Sequence, residues 1–274
     1  MMDLCCTRRS PLPKLLVLFM LIMLTQPQMV LADTEIKPEV RVEGRAVPAT
    51  DGVFTVLWKL TPTLPWYLYS DRLNDSGFPP GLTASWPEGW QAGPLQWPVA
   101  ERHLLENMVL DHVYHGPVTL LQEVRPVAGA FAAGPVEVKT RWSWLACHEM
   151  CVPGHSSATV VFSPEEPEGV ADVMAARANL PRPLPEDRVT VRWGDGTVHF
   201  IAPDASALEF HPAGDGQGVR FQDLPADGAV QGQELTLHLR PGPDGFGALR
   251  GTLLINHDDG SAEFWTVDIP YGGR

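Results

Sequence analysis

Prolines and glycines recur so often in this sequence that its strands and helices must be short. The 274 residues include 27 prolines and 25 glycines. Before residue 165 no stretch spaces its apolar residues as an amphipathic helix does, whereas alternating segments such as Val53–Leu60 and Val118–Val124 are typical of strands. Many short strands separated by turns predict an all-β fold of the β-sandwich type.

The first 32 residues have the pattern of a signal peptide. Basic residues precede the apolar run Leu15–Leu24, and Val30-Leu31-Ala32 after it has the pattern of a cleavage site. A run of ten residues is too short to cross a bilayer, which takes about 20. We therefore expect cleavage after Ala32, the loss of Cys5 and Cys6, and a soluble, exported mature protein.

The charge of the chain excludes some partners and favours a disulfide. Removing residues 1–32 takes away three basic residues and one acidic residue, which changes the formal net charge from −13 to −15. Nucleic acids and anionic lipids bind through Lys and Arg, so such an acidic surface disfavours both. An exported protein meets an oxidising environment, in which a pair of cysteines is a candidate disulfide.

The rest of the sequence divides into two β-rich parts around a linker. We predict a β-sandwich over residues 33–164, a short helix and a stiff proline-rich segment over 165–187, and a second β-sandwich over 188–274. The second part begins with a hairpin around Asp195-Gly196. His257-Asp-Asp-Gly260 predicts a further hairpin turn rather than a metal site, because the full calcium-loop spacing is missing.

Cys147 and Cys151 are the two cysteines of the predicted mature chain, and strand-like segments flank them. Residues four apart in a strand lie about 13 Å from each other, but a disulfide needs Cα atoms closer than about 7 Å. The bond therefore forms only if His148–Met150 fold into a turn. So short a ring stabilises by only about 2 kcal/mol in the chain-entropy model. This favours a redox-active pair at the end of a β-hairpin, and an inert clip is the alternative.

Thiol exchange requires a thiolate that attacks a disulfide sulfur. His148 and His155 are candidates to help ionise a thiol if they are charged and close, and solvated turn residues are the alternative reading. We expect Cys151 to be the attacked sulfur and Cys147 to resolve the mixed disulfide.

The same stretch also offers soft metal ligands. Cys147, Met150, Cys151 and His155 form a set that favours Cu(I), so a copper-binding module is the alternative function. A structural adaptor is a third. The sequence lacks a Gly-Xaa-Ser-Xaa-Gly elbow, a phosphate loop and a His-Glu-Xaa-Xaa-His helix. Three further histidines are predicted to lie at the surface: His103, His112 and His115.

Several motifs occur in an order that is found in one domain family. They are Trp66-Tyr67, Asp75-Ser-Gly-Phe-Pro-Pro80, Trp97-Pro-Val-Ala-Glu-Arg102, Tyr114-His-Gly116 and Leu145-Ala-Cys-His-Glu-Met-Cys-Val-Pro153. As a set they resemble the N-terminal periplasmic domain of the thiol:disulfide interchange protein DsbD, and in particular the copper-sensitivity suppressor (ScsB) group. The resemblance extends from residue 34 to about 165, and residues 188–274 are similar to the second β-domain of that group.

The resemblance implies two immunoglobulin-like sandwiches in a periplasmic thiol:disulfide oxidoreductase. It implies that the cysteine pair takes electrons from a membrane-embedded thiol reductase relay and passes them to thioredoxin-like proteins, with no small-molecule cofactor. In the family an aromatic residue on a cap loop shields the disulfide, and Tyr114, beside His115, matches that position. The family's membrane relay and terminal thioredoxin-like domain have no counterpart up to Arg274, so we expect that the protein either works with a separate membrane partner or uses its cysteines for another purpose.

Overall fold

The computed structural model describes residues 38–49, 52–165, 169–215, 219–241 and 247–272. The predicted signal peptide, residues 1–32, lies outside the described residues. Within them the chain forms 19 strands and two short helices, which confirms the predicted all-β class. Neither of these helices is long and apolar enough to cross a bilayer.

Ten strands form the first sandwich. They are β1 (Val40–Pro48), β2 (Phe54–Pro62), β3 (Tyr67–Tyr69), β4 (Gly81–Ala84), β5 (Gln91–Gln96), β6 (Glu101–Leu105), β7 (Val109–Tyr114), β8 (Val118–Arg125), β9 (Val136–Cys147) and β10 (Cys151–Phe162). One antiparallel sheet has the order β1-β2-β8-β5, and the other has the order β10-β9-β3-β7-β6, with β4 also paired to β9.

Alternating apolar residues bury the facing sides of these two sheets. Along β9 the side chains of Val138, Trp142, Trp144 and Ala146 enter a core shared by both sheets, and Thr140 on the same face is buried as well, as the two-residue period of a strand requires. Trp58 of β2 and Trp142 of β9 meet edge to face there, with ring centroids 5.5 Å apart. Such aromatic pairs contribute about 0.5–1.5 kcal/mol beyond their buried area.

The remaining elements form a linker and a second sandwich. They are α1 (Val170–Ala178), β11 (Arg182–Pro183), β12 (Thr190–Gly194), β13 (Thr197–Ile201), β14 (Ala207–Pro212), β15 (Arg220–Phe221), α2 (Leu224–Asp227), β16 (Ala229–Gln231), β17 (Glu234–Arg240), β18 (Ala248–Asn256) and β19 (Ala262–Pro270). One sheet has the order β11-β19-β18-β14-β16, and the other has the order β12-β13-β17-β15.

Both hairpin turns expected in the second sandwich are present. β12 and β13 pair around Asp195-Gly196, where Gly196 has a φ of +69°. β18 and β19 pair around His257–Gly260, and the amide of Gly260 donates to the carbonyl of His257. The two sheets share a core in which Phe200 and Phe210 stack with ring centroids 5.8 Å apart.

The linker packs against both sandwiches. Val173 of α1 lies in a small apolar cluster with residues from β1, β2 and β8, so the helix covers the outer face of their sheet. The proline-rich segment contributes β11, which pairs in parallel with β19. Instead of acting as a free spacer, the segment therefore extends a sheet of the second sandwich.

The two sandwiches touch each other through β7. Leu110, a residue of the first sandwich, is buried within the apolar core of the second. Leu73 and Leu104 pack against the same core. The outer face of the sheet that carries the cysteine hairpin is thus partly covered by the second sandwich.

Candidate functional site

β9 and β10 form a long hairpin whose closed end carries both cysteines. Cys147 is the last residue of β9, Cys151 is the first of β10, and they lie opposite each other in the register. His148–Met150 make the turn, in which the His148 amide donates to the Met150 carbonyl at 3.1 Å. The two cysteine Cα atoms are 4.1 Å apart and their sulfurs are bonded. The predicted turn and hairpin are confirmed.

The alternation of side chains along β9 turns Cys147 away from the core of its own sandwich. Trp144 and Ala146 enter that core, so Cys147 faces the opposite side of the sheet. This opposite face holds a small cluster of five buried residues, which are Tyr67, Tyr69, Val113, Leu145 and Cys147.

The two sulfurs differ in their access to solvent. Cys147 is only 1% exposed, whereas Cys151 is an exposed residue at the end of an edge strand. An incoming thiolate therefore reaches Cys151 more easily than Cys147. Cys147 is the better candidate for the sulfur that leaves when the disulfide opens.

A chain of hydrogen bonds connects the buried sulfur to a buried carboxylate. The Tyr69 hydroxyl lies 3.2 Å from Sγ of Cys147 and 3.7 Å from Sγ of Cys151. It also lies 3.0 Å from Oγ of Ser76. The Ser76 hydroxyl and amide donate to the two oxygens of Asp111 at 2.5 and 3.0 Å. Tyr69 is thus held beside the disulfide by partners on β7 and on the loop after β3.

Close contact with Gly77 fixes the ring of Tyr69. A Cβ atom at Gly77 would lie 2.1 Å from the phenol ring, so only glycine allows the loop backbone to approach this closely. The segment Ser76–Gly77 therefore forms a wall of the site, and it covers one side of Tyr69.

Tyr114, the expected cap residue, lies elsewhere in the described structure. Its buried hydroxyl donates to the carbonyl of Pro98 at 2.7 Å, and its ring stacks on Trp97. Burial raises its pKa well above the usual value. The tyrosine that contacts the sulfurs is Tyr69, so the cap role of Tyr114 stays a prediction that these contacts do not support.

His148 and Met150 are exposed side chains in the turn between the two cysteines, and His155 is an exposed side chain further along β10. The ring of His148 lies edge to face with Trp66 at 6.3 Å. His155 follows Cys151 by four residues along β10, which places its Cα about 13 Å away. Assistance to thiol ionisation thus stays a prediction for both histidines, and the distance weakens it for His155.

His115 belongs to a group of three rings next to the disulfide. Its ring lies 5.2 Å from Tyr67 and 5.3 Å from His103, and Tyr67 is opposite Cys147 in the pairing of β3 with β9. Burial, followed by the effect of Tyr69, raises the pKa of Tyr67, and burial followed by His115 lowers the pKa of His103. Tyr67 and His103 are therefore neutral at pH 7.

The prediction that His103, His112 and His115 lie at the surface is wrong for His112. It is fully buried, and its ring lies 4.4 Å from the ring of His211 in the second sandwich. Burial is the main cause that lowers the pKa of His112, to about 3. His112 is buried because the second sandwich packs against β7. No pattern in the sequence around His112 indicates this packing.

Copper(I) binding by Cys147, Met150, Cys151 and His155 stays a prediction for the reduced protein. Soft-metal binding requires thiolates, and here the two sulfurs are joined to each other. Among the described residues, one group of His, Cys, Asp or Glu side chains holds three potential ligand atoms within 4.8 Å of one another: Asp204, His257 and Glu263. The guanidinium of Arg188 pairs with both of its carboxylates, at 3.1 and 2.6 Å, so we interpret this group as an ion-pair network.

Sequence reasoning missed Tyr69, Ser76 and Asp111 as residues of the site. A signal for Tyr69 was available, because two of the ordered motifs, Trp66-Tyr67 and Asp75-Ser76-Gly77, lie on either side of it in the sequence. Nothing local marked Asp111, which lies 35 residues after Ser76 and reaches it only through the folding of β7 beside β3.

Comparison with known proteins places the hairpin in a family. The family described as "Thiol:disulfide interchange protein DsbD, N-terminal" matches residues 35–163. Comparison with curated proteins gives no match. The crystal structure of the N-terminal periplasmic domain of ScsB from Proteus mirabilis matches with a TM-score of 0.57 at 12% identity, over 86% of this chain and 94% of that one. At this identity the likeness shows a shared fold.

Other solved structures are less similar. The YadV chaperone matches with a TM-score of 0.24 at 7% identity, over 84% of this chain and 99% of that one. The major pilin subunit BcpA of Bacillus cereus matches with a TM-score of 0.29 at 9% identity, over 85% of this chain and 66% of that one. Both scores are too low to carry an argument.

The first sandwich has the immunoglobulin-like fold of the DsbD N-terminal domain. Its cysteine hairpin and the match over residues 35–163 show that this part of the chain belongs to the DsbD N-terminal domain family.

Proposed function

We propose that Cys147 and Cys151 carry out thiol–disulfide exchange with other proteins in the periplasm. The observation that carries this proposal is a disulfide between an exposed and a buried cysteine, with a tyrosine hydroxyl 3.2 Å from the buried sulfur. The family to which residues 35–163 belong supports the same chemistry. A membrane-embedded thiol reductase is the proposed electron donor, and thioredoxin-like proteins are the proposed acceptors.

In the proposed reaction a thiolate of a reduced partner attacks Sγ of Cys151. A sulfur–sulfur bond forms between the partner and Cys151, the bond to Cys147 breaks, and its electron pair goes to Sγ of Cys147, which then takes a proton. The second cysteine of the same partner, as a thiolate, then attacks the partner sulfur that is bonded to Cys151. Cys151 leaves as a thiolate. The partner's dithiol becomes a disulfide, and the pair in this chain becomes two thiols. The reverse sequence reduces an oxidised acceptor.

Tyr69 assists this reaction by stabilising Cys147 as it leaves. The Ser76 hydroxyl donates to Asp111, so the single proton of Tyr69 can go either to the oxygen of Ser76 or to Sγ of Cys147, which is a weak acceptor while the sulfurs are bonded. When Cys147 becomes a thiolate, it becomes the stronger acceptor and the phenol proton turns toward it.

Replacing Tyr69 with phenylalanine is expected to slow reduction of the disulfide by dithiothreitol about tenfold. A hydrogen bond to a charged group contributes about 1.5–3 kcal/mol, and the Tyr69→Phe change removes it while the ring remains. The rate is measured by alkylating free thiols at timed intervals. Tyr114→Phe is the matched control, because its hydroxyl donates to Pro98, and its rate should stay within about twofold of the parent. Equal reduction rates for the parent and Tyr69→Phe would show that the Tyr69 hydroxyl does not stabilise Cys147 as it leaves.

Exposed apolar side chains near the disulfide are the proposed contact surface for a protein partner. Met150 in the hairpin turn is 58% exposed, and Phe78 on the loop that covers Tyr69 is 54% exposed. Apolar side chains around a reactive centre can lose water when a partner covers them, at about 25 cal/mol per Å².

Changing both Phe78 and Met150 to glutamate should slow exchange with reduced thioredoxin at least about tenfold, because charges would remain in the covered contact. The rate with dithiothreitol should change by less than about twofold, since a small thiol needs no contact surface. Met174→Glu serves as the control, because Met174 is 68% exposed on α1. A double variant that reacts with thioredoxin as fast as the parent would rule out this surface.

A further inference from the structure

The second sandwich holds the loop that covers Tyr69. Residues 71–73, which follow β3, form a short antiparallel bridge with Ala213, immediately after β14. The Leu73 amide donates to the carbonyl of Pro212 at 2.9 Å, and the Gly214 amide donates to the carbonyl of Asp71 at 3.1 Å. The loop therefore adds to the end of a strand that belongs to the other sandwich.

Side chains strengthen this attachment. Leu73 packs against the apolar core of the second sandwich. The guanidinium of Arg72 donates to Oγ1 of Thr252 on β18 at 3.3 Å. Thr252 is buried, so the hydrogen bond lies in a region from which water is largely excluded and in which losing a partner is costly.

The other side of the same loop is bonded to β7. The His112 amide donates to Oδ1 of Asn74 at 2.7 Å, and the Leu110 amide donates to Oδ2 of Asp75 at 2.8 Å. Ser76, the next residue, bonds to Asp111 and to Tyr69. The loop is thus fixed between β7 and the second sandwich, and its far end sets the position of Ser76.

We propose that the second sandwich is a positioning element for the redox site. Through Pro212, Ala213 and Gly214 it holds residues 71–76 in the conformation that places Ser76 against Tyr69. Its contribution to exchange is indirect, since none of these three residues touches a sulfur in the described structure. This inference rests on the proposed function, because it concerns how Tyr69 acts on the cysteine pair.

Gly214 offers a direct test. It is exposed, its φ lies outside the left-handed region, and a Cβ atom there would lie 2.4 Å from the carbonyl oxygen of Asp71 and 2.7 Å from that of Arg72. Gly214→Val should therefore push the loop away from the second sandwich while leaving both sandwich cores intact. Thr252→Val is a milder second variant, which keeps the shape of the residue and removes the acceptor for Arg72.

The measurement is the rate of reduction by dithiothreitol for the parent, Tyr69→Phe, Gly214→Val and the double variant, with thermal unfolding as the check on folding. Residues that act together show non-additive effects. We expect the roughly tenfold effect of Tyr69→Phe to shrink to about threefold or less in the Gly214→Val background. Thr252→Val should also reduce the slowing caused by Tyr69→Phe, but by less than Gly214→Val does. Asp258→Ala, in the exposed turn between β18 and β19, should leave the slowing caused by Tyr69→Phe unchanged.

Two failures are distinguishable. If Tyr69→Phe slows reduction about tenfold in both backgrounds, the positioning role of the second sandwich is excluded and the proposed function stands. If the oxidised parent exchanges no electrons with reduced thioredoxin, the proposed function fails, whatever the two backgrounds show.

Discussion

Replacing Cys147 with serine is expected to leave a covalent adduct between Cys151 and an oxidised thioredoxin-like partner. Cys151 is exposed and can attack a partner's disulfide. Cys147, which would resolve the mixed disulfide from this side, is then absent. The fold should survive, because a ring this short contributes only about 2 kcal/mol in the chain-entropy model. The adduct is measured on non-reducing gels and should disappear on addition of dithiothreitol.

Cys151→Ser is the informative counterpart of this variant. Cys147 is 1% exposed and lies against Tyr69, so its thiol should form at least about tenfold less adduct under the same conditions, since access limits exchange. The double serine variant should form none. An adduct seen with Cys151→Ser and missing with Cys147→Ser would reverse the assigned roles of the two sulfurs.

Acid is expected to destabilise the protein strongly through His112. Burial lowers the pKa of this histidine to about 3, whereas an unfolded histidine has a pKa of about 6.5. Below pH 6.5 the unfolded chain binds a proton that the folded protein does not. The free energy of unfolding therefore falls as the pH drops toward 3, by about 1.4 kcal/mol per pH unit. At pH 4.5 the loss is about 2 to 3 kcal/mol.

The groups around His112 do not offset this loss. Nδ1–H donates to the carbonyl of Leu73 at 2.6 Å, and Nε2 is buried without a hydrogen-bond partner among the described residues. The ionisable side chains that act on His112 are His211, whose pKa burial also lowers, together with Arg102 and Arg72. Glu209 is bonded to His211 at 3.3 Å, and the two arginines disfavour a further positive charge.

Urea unfolding between pH 7.5 and 4.5 measures this effect. His112→Gln keeps an N–H group and removes the titration, so the gap between the unfolding free energies of parent and variant should narrow as the pH falls. His155→Gln, which changes an exposed histidine, should give a curve parallel to the parent. A His112→Gln curve that also runs parallel to the parent would contradict the assignment.

The cysteine hairpin could be predicted because its geometry is local. Cys147 and Cys151 can bond only across a turn, and alternating residues precede and follow that turn. The hairpin of β12 and β13 was equally readable from alternation and from the Asp-Gly turn, whereas β11 lies in the segment that was predicted to be a proline-rich linker. For both hairpins, neighbours in the sequence carry the whole signal.

Features that depend on distant pairing could not be predicted. The sequence of β5 (Gln91–Gln96) does not alternate as that of a typical strand does, because Gly93 and Pro94 interrupt it. It pairs with β8 through a register shift between Ala92 and Leu95, and such a bulge accommodates a proline within a strand. The contact of Tyr69 with the sulfurs depends likewise on the register of β3 against β9.

The reduction potential of the Cys147–Cys151 pair tests the central claim most directly. The oxidised protein is equilibrated in dithiothreitol or glutathione buffers of known potential, and free thiols are counted by alkylation and mass measurement. Exchange proteins titrate between about −120 and −270 mV, whereas inert structural disulfides lie below about −300 mV. We predict a midpoint above about −270 mV. A midpoint below about −300 mV would mean that the pair is a structural clip.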